Sequence, residues 1–137
     1  MKSNVRVLLV DDEVDFLDMM AFWLKQQGYT VQTALDGESA IKLVKEGAGD
    51  IIFLDINMPE LDGIETLRRI RKFNTDIPVI MVTAFGTEDR IKESQDLGIS
   101  GFFPKDKDFL EAATMIEAVL KTHKGLKSLK NHESKES

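Results

Sequence analysis

At 137 residues the chain has the length of one domain, and a domain of that size buries roughly two-thirds of its unfolded surface, enough to fold without covalent staples. With no cysteine there is neither a disulfide framework nor a thiolate metal site, so a cytoplasmic address is the default expectation. A net charge of -6 repels nucleic-acid phosphates, no apolar run is long enough to span a bilayer, and Asp11 and Asp12 cut off the first apolar run before any cleavage site, which argues against a signal peptide.

Residues 5–10 form the first of five short β-rich runs, and Phe16, Met20, Trp23 and Leu24 then share a helical face that Gly28 ends as a C′ glycine. Residues 29–34 alternate more and give a second strand, after which Asp36 or Gly37 opens a helix carrying Ala40, Ile41 and Val44, ended by Gly47 or Gly49. Residues 51–54 read as a third strand. Ile64, Leu67, Ile70 and Arg71 mark a third helix, stopped before Pro78 because the residue ahead of a proline avoids the helical region. Residues 77–83 give a fourth strand, Ile91 and Leu97 with Gly98 a short fourth helix, and residues 101–103 a fifth strand. Phe109, Ala112, Ala113, Ile116, Val119 and Leu120 give a strong fifth helix. From Gly125 the sequence turns polar, which divides the chain into a domain at 1–124 and a tail or linker stub at 125–137. Continuous hydrophobicity in the first, third and fourth strands says that both sheet faces are covered. The pattern predicts an α/β fold, a doubly wound five-stranded parallel sheet with right-handed crossovers.

In such a sheet ligands bind at the carboxyl ends of the strands, and there the sequence places polar residues with some regularity: Asp11 and Asp12, Asp55, Thr83, and Pro104 with Lys105. Three carboxylates brought together repel one another unless a cation sits among them, and hard oxygen ligands with no Cys suit Mg²⁺ better than zinc. Lys105 supplies a mobile positive charge and Thr83 a hydroxyl, the groups a transferred phosphoryl needs, since phosphoryl transfer is mostly positioning and charge neutralisation. Asp55 ends the most apolar strand and is the best nucleophile for an acyl phosphate.

These residues carry a resemblance. Leu9-Val10-Asp11-Asp12-Glu13, the run from Leu54 and Asp55 through Asn57, Met58-Pro59 and Asp62-Gly63, Thr83-Ala84, and Lys105 together resemble the response-regulator receiver family over residues 4–122. The resemblance implies a flavodoxin-like fold with strand order 2-1-3-4-5, and makes the chain a signalling receiver rather than a turnover enzyme. Asp55 would be the phosphoacceptor for a sensor histidine kinase or histidine phosphotransfer protein. Mg²⁺ (or Mn²⁺) would be held by Asp12 directly, by Asp11 mainly through water, by Asp55 and by the backbone carbonyl of Asn57. Lys105 would pair with the phosphate. Thr83 and Phe102 would be the switch pair, acting on a downstream effector protein or domain through the surface of the fourth helix, fifth strand and fifth helix. The partner's histidine-bearing helices would lie against the first helix, where Met19 and Phe22 exceed a single apolar stripe. No nucleic-acid or membrane contact is expected of this segment.

Two departures stand out. The family mostly follows its lysine with a cis-proline, whereas Lys105 is followed by Asp106, and a cis bond there would cost about 2.5 to 4 kcal/mol, so a trans or strained loop is expected. The switch aromatic is Phe, with no hydroxyl to expose. Asn57 and Phe85 stand where the family tunes dephosphorylation. Singly, each feature has an ordinary reading: Asp11 and Asp12 as helix caps, Asp62-Gly63 as turn chemistry, Lys105 as a surface lysine. Two other functions compete, a Mg²⁺-dependent aspartyl phosphohydrolase and a degenerate receiver serving only as a protein-binding module. The first lacks a carboxylate two residues past Asp55, where Asn57 stands.

Overall fold

Residues that alternate along a strand point to opposite sheet faces, so a strand apolar at every position needs cover on both sides. That is the arrangement in the computed structural model, which describes residues 4–84 and 88–136, with side chains up to residue 123 apart from Glu88. The strands are β1 (Arg6–Val10), β2 (Thr30–Ala34), β3 (Ile51–Asp55), β4 (Val79–Thr83) and β5 (Gly101–Pro104), alternating with helices α1 (Val14–Gln26), α2 (Gly37–Lys45), α3 (Gly63–Arg71), α4 (Glu88–Gln95) and α5 (Phe109–Glu136). All pairings are parallel and the order is β2-β1-β3-β4-β5, as the resemblance implied.

Successive residues of β1 divide between two cores. Val7 and Leu9 join Ile51, Phe53, Ile80, Val82 and Phe103 beneath α1 and α5, while Leu8 and Val10 join Ile52, Leu54, Val79 and Met81 beneath α2 and α3. β3 and β4 are buried throughout, whereas β2, at one edge, is largely exposed. The apolar stripe of α1 is Leu17, Met20, Ala21 and Leu24, with Phe16 and Trp23 half-buried at its border.

Gly28 ends α1 at φ 98°, a left-handed conformation that favours glycine, and lets the Tyr29 amide donate to the Leu24 carbonyl. β4 begins two residues later than expected, because Pro78 has no N–H to give and Asn74 Oδ1 takes the amides of Asp76 and Ile77 in a turn. α4 ends at Gln95, leaving Leu97 beyond it, where Arg71 donates to the carbonyls of Leu97 and Gly98 and so clasps the end of α4 to α3. α5 continues through Glu136, so Gly125 does not interrupt the helix.

Candidate functional site

The ladder hydrogen bonds run one step past the strand ends. The Asp11 amide donates to Ala34 O (3.1 Å), the Ile56 amide to Val82 O (3.2 Å) and the Lys105 amide to Thr83 O (2.8 Å). These bonds tie down the backbone at the strand ends, and the side chains there converge on the carboxyl edge.

Asp11, Asp12 and Asp55 each present a carboxylate oxygen within 4.8 Å of the others. Asp11 and Asp55 are buried at 2% exposure each, and Asp12 is exposed. Lys105 Nζ lies 3.0 Å from Asp11 Oδ2 and 3.4 Å from Asp55 Oδ2, and it also donates to Glu13 Oε1. Its ammonium sits 5.0 Å from the centroid of the Phe16 ring. Asp11 Oδ1 accepts the Glu13 amide at 2.8 Å, and Asp55 Oδ1 accepts the Asn57 amide at 3.3 Å. The helix-cap reading of the acidic pair fails, since the N-cap of α1 is Glu13.

Burial pushes the Asp55 carboxyl up to about 7, and the charge of Asp11 adds to it, against the opposing pull of Lys105. Burial works to lower the Lys105 pKa, but hydrogen bonds to Glu13 and Asp11 and the charges of Asp55 and Asp11 outweigh it and hold the ammonium above the ordinary lysine range. One cation thus faces three close carboxylates. Asp11 Oδ2 is buried and accepts no aligned hydrogen bond, although Nζ is nearby. A buried carboxylate oxygen with spare acceptor capacity, in a group of hard oxygen donors, fits a small divalent cation.

The other residues singled out in the sequence lie around this group. Thr83 is buried at the end of β4, opposite Pro104 in the β5 register. Phe102 is half-buried and packs with Leu97 and Ile99 against the core beneath α2 and α3, turned away from Phe103. The Asn57 side chain is exposed. Phe85 lies outside the described residues. No peptide bond among the described residues is cis, in keeping with the trans expectation at Lys105-Asp106. A hollow of about 600 Å³ lined by Asp50, Asp76, Leu120 and His123 opens at the opposite edge of the sheet, away from the carboxylates.

Three residues take roles at the site that their local pattern does not announce. Glu13 and Phe16 touch the Lys105 ammonium, and their signal was only their place in the first turn after Asp11 and Asp12. Gly63 has the sequence context of an ordinary turn, yet a Cβ there would stand 2.0 Å from the Asp55 carbonyl oxygen, so α3 begins flush against the end of β3.

Comparison with known proteins agrees with this fold. The family model of the response regulator receiver domain matches residues 7–119. The transcriptional regulatory protein ZraR of Klebsiella oxytoca is 36% identical over 107 residues, which cover 78% of this chain and 24% of that protein. ZraR of Escherichia coli (strain K12) is 33% identical over 122 residues, covering 88% and 28% respectively. The chain therefore spans about a quarter of the length of these curated relatives. Among solved structures, NtrX from Brucella abortus in complex with ADP superposes with a TM-score of 0.86 at 30% identity, over 92% of this chain and 29% of that one. A response regulator receiver domain protein from Clostridium thermocellum gives 0.83 at 26% identity, over 89% and 98%.

Proposed function

Because the chain belongs to the response regulator receiver domain family of two-component signalling, we propose that Asp55 accepts a phosphoryl group from a histidine of a sensor kinase or phosphotransfer protein. The observation that carries this reading is the meeting of Asp11, Asp12 and Asp55 with the Lys105 ammonium at the strand ends.

In this mechanism an Asp55 Oδ attacks phosphorus, the O–P bond forms as the P–N bond of the phosphohistidine breaks, and the departing imidazole nitrogen keeps the electron pair and takes up a proton. Asp12, Asp55, the Asn57 carbonyl and, through water, Asp11 would hold Mg²⁺ or Mn²⁺. When bound, that cation supplies positive charge which offsets the carboxylates and the phosphoryl oxygens. Lys105 pairs with a phosphoryl oxygen as a point charge, and Thr83 donates its hydroxyl to another. As Thr83 moves, Phe102 fills the space it leaves, and a local charge becomes a change in the surface of α4, β5 and α5. The chain catalyses only its own phosphorylation and dephosphorylation in this reading. Turnover as a phosphohydrolase is disfavoured because Asn57, two residues past the nucleophile, has no acid proton to give.

The kinase or phosphotransfer partner docks on the exposed side of α1, where Met19 is 62% and Phe22 67% exposed. The output is an effector protein or attached domain. A charge of -6 and the lack of any helix among the described residues long and apolar enough to cross a membrane support a cytoplasmic module without direct nucleic-acid contact. We place the receiver unit at 1–124 and assign 125–137 to an extension or linker, in line with a family match that stops at residue 119.

The test is intact-mass measurement after incubation with acetyl phosphate and Mg²⁺. A single phosphoryl adduct is expected, lost in Asp55→Asn and in EDTA. No adduct with Mg²⁺ demonstrably bound would instead favour a module that binds partners without being phosphorylated.

A further inference from the structure

Lys105 has to be near the phosphoryl group at the moment of transfer, yet the two buried carboxylates that now hold it are the ones a cation would occupy. Were Asp11 and Asp55 to hold a divalent cation, their negative charge would be spent on it, and the Lys105 ammonium would keep two contacts outside the three-carboxylate group: Glu13 and the face of Phe16. An ammonium within about 6 Å of a ring centroid is attracted by the ring quadrupole, and the 5.0 Å separation here lies inside that limit.

The Phe16 ring is itself fixed. It meets Phe109 edge-on at 5.8 Å, and Phe109 stacks at 6.4 Å on Phe103, two residues before the lysine on β5. The Lys105 amide is anchored to Thr83 O, so the remaining freedom is in the side chain, which is 14% exposed. Glu13, by contrast, is 63% exposed and can swing away without leaving a buried charge behind.

We infer that the first turn of α1 is the cradle of Lys105: Phe16 positions the ammonium in both states, and Glu13 holds it until the phosphoryl oxygens take it over. This rests on the phosphoacceptor reading of Asp55. Both are positioning residues, acting through Lys105 and not on the phosphoryl group.

The experiment uses the full chain with Phe16→Leu, Phe16→Tyr and Glu13→Gln. The Lys105 ε-methylene signal, identified by its absence in Lys105→Arg, is followed by ¹H–¹³C NMR, and phosphorylation by acetyl phosphate and Mg²⁺ by intact mass. We expect an upfield ring-current shift of the ε protons in the metal-free wild type that persists when Mg²⁺ is added. Phe16→Leu should abolish it and Phe16→Tyr retain it. The phosphorylation rate should fall about three- to tenfold in Phe16→Leu and recover in Phe16→Tyr. In Glu13→Gln the ring-current shift should stay while the ε-methylene becomes more mobile. An unshifted wild-type signal, or equal rates in wild type and Phe16→Leu with the amide spectrum intact, would overturn the cradle. Loss of the shift in Phe16→Leu in a chain that never gains an adduct would support the cradle and refute the phosphoacceptor reading instead.

Discussion

Two aspartates seven residues apart sit in opposite electrostatic settings. Asp55, at the end of β3, is buried beside Asp11 and is pushed up to about 7. Asp62, at the head of α3, is also partly buried, but its Oδ1 accepts the Glu65 amide at 2.8 Å and its Oδ2 accepts from Arg90 at 2.6 Å, so donors outweigh burial and its carboxyl is held below the usual range. One residue type thus serves as a poised, strained acid in one place and as a satisfied cap in the other. The difference lies in what each carboxylate faces, a like charge or a set of N–H donors.

The strongest way to test that contrast is to remove the charge of Asp55. A carboxyl whose folded pKa is raised binds more protons in the folded state, so stability falls as pH rises from about 4 to about 7, and the penalty is fully present above that. Asp55→Asn should erase this slope and stabilise the metal-free chain by on the order of 3 kcal/mol at pH 8. Urea denaturation at pH 5 and pH 8 reads it, and saturating Mg²⁺ should recover much of the same stability in the wild type. Equal stabilities of wild type and variant at pH 8 would remove Asp55 from the strained class.

Next in size is the packing that brings the two aspartates close. Gly63→Ala forces a Cβ into the Asp55 carbonyl and displaces the start of α3 from the end of β3. A loss of about 2 to 3 kcal/mol is expected, with Mg²⁺ affinity, measured by calorimetry, falling alongside it. Unchanged stability would mean that β3 and α3 separate freely.

Smallest is the cap itself. Asp62→Ala should cost about 1 to 2 kcal/mol through the lost N-cap bond and the partly exposed Arg90 pair. Because the Asp62 pKa is lowered, that cost should be present at neutral pH and fade as pH falls below about 4, opposite in sign to the Asp55 slope. Thermal melts across that range check it.

Much of this was legible in the residues. A run such as Ile51-Ile52-Phe53-Leu54, apolar at every position, has few homes other than a central strand covered on both sides, and Asp55 directly after it must then stand at the strand's carboxyl end. The same logic placed Asp11, Thr83 and Lys105 on one edge. Less legible were the limits of elements set by distant partners. Leu97 fits a helical spacing, yet it lies beyond α4, its carbonyl held by Arg71 from α3. The polar run after Gly125 carries no stop signal strong enough to end α5.

Periodicity and the fixed direction of a parallel sheet are enough to dictate the alternation of strands and helices, the two-sided burial of the sheet and the gathering of acid and lysine at its carboxyl edge. The burial of Asp11 and Asp55 but not Asp12, the seat of Lys105 on Phe16 and Glu13, and the contact of Gly63 with the end of β3 come from the packed fold. Those facts depend on distances between residues remote in the chain, and local pattern carries no information about such distances.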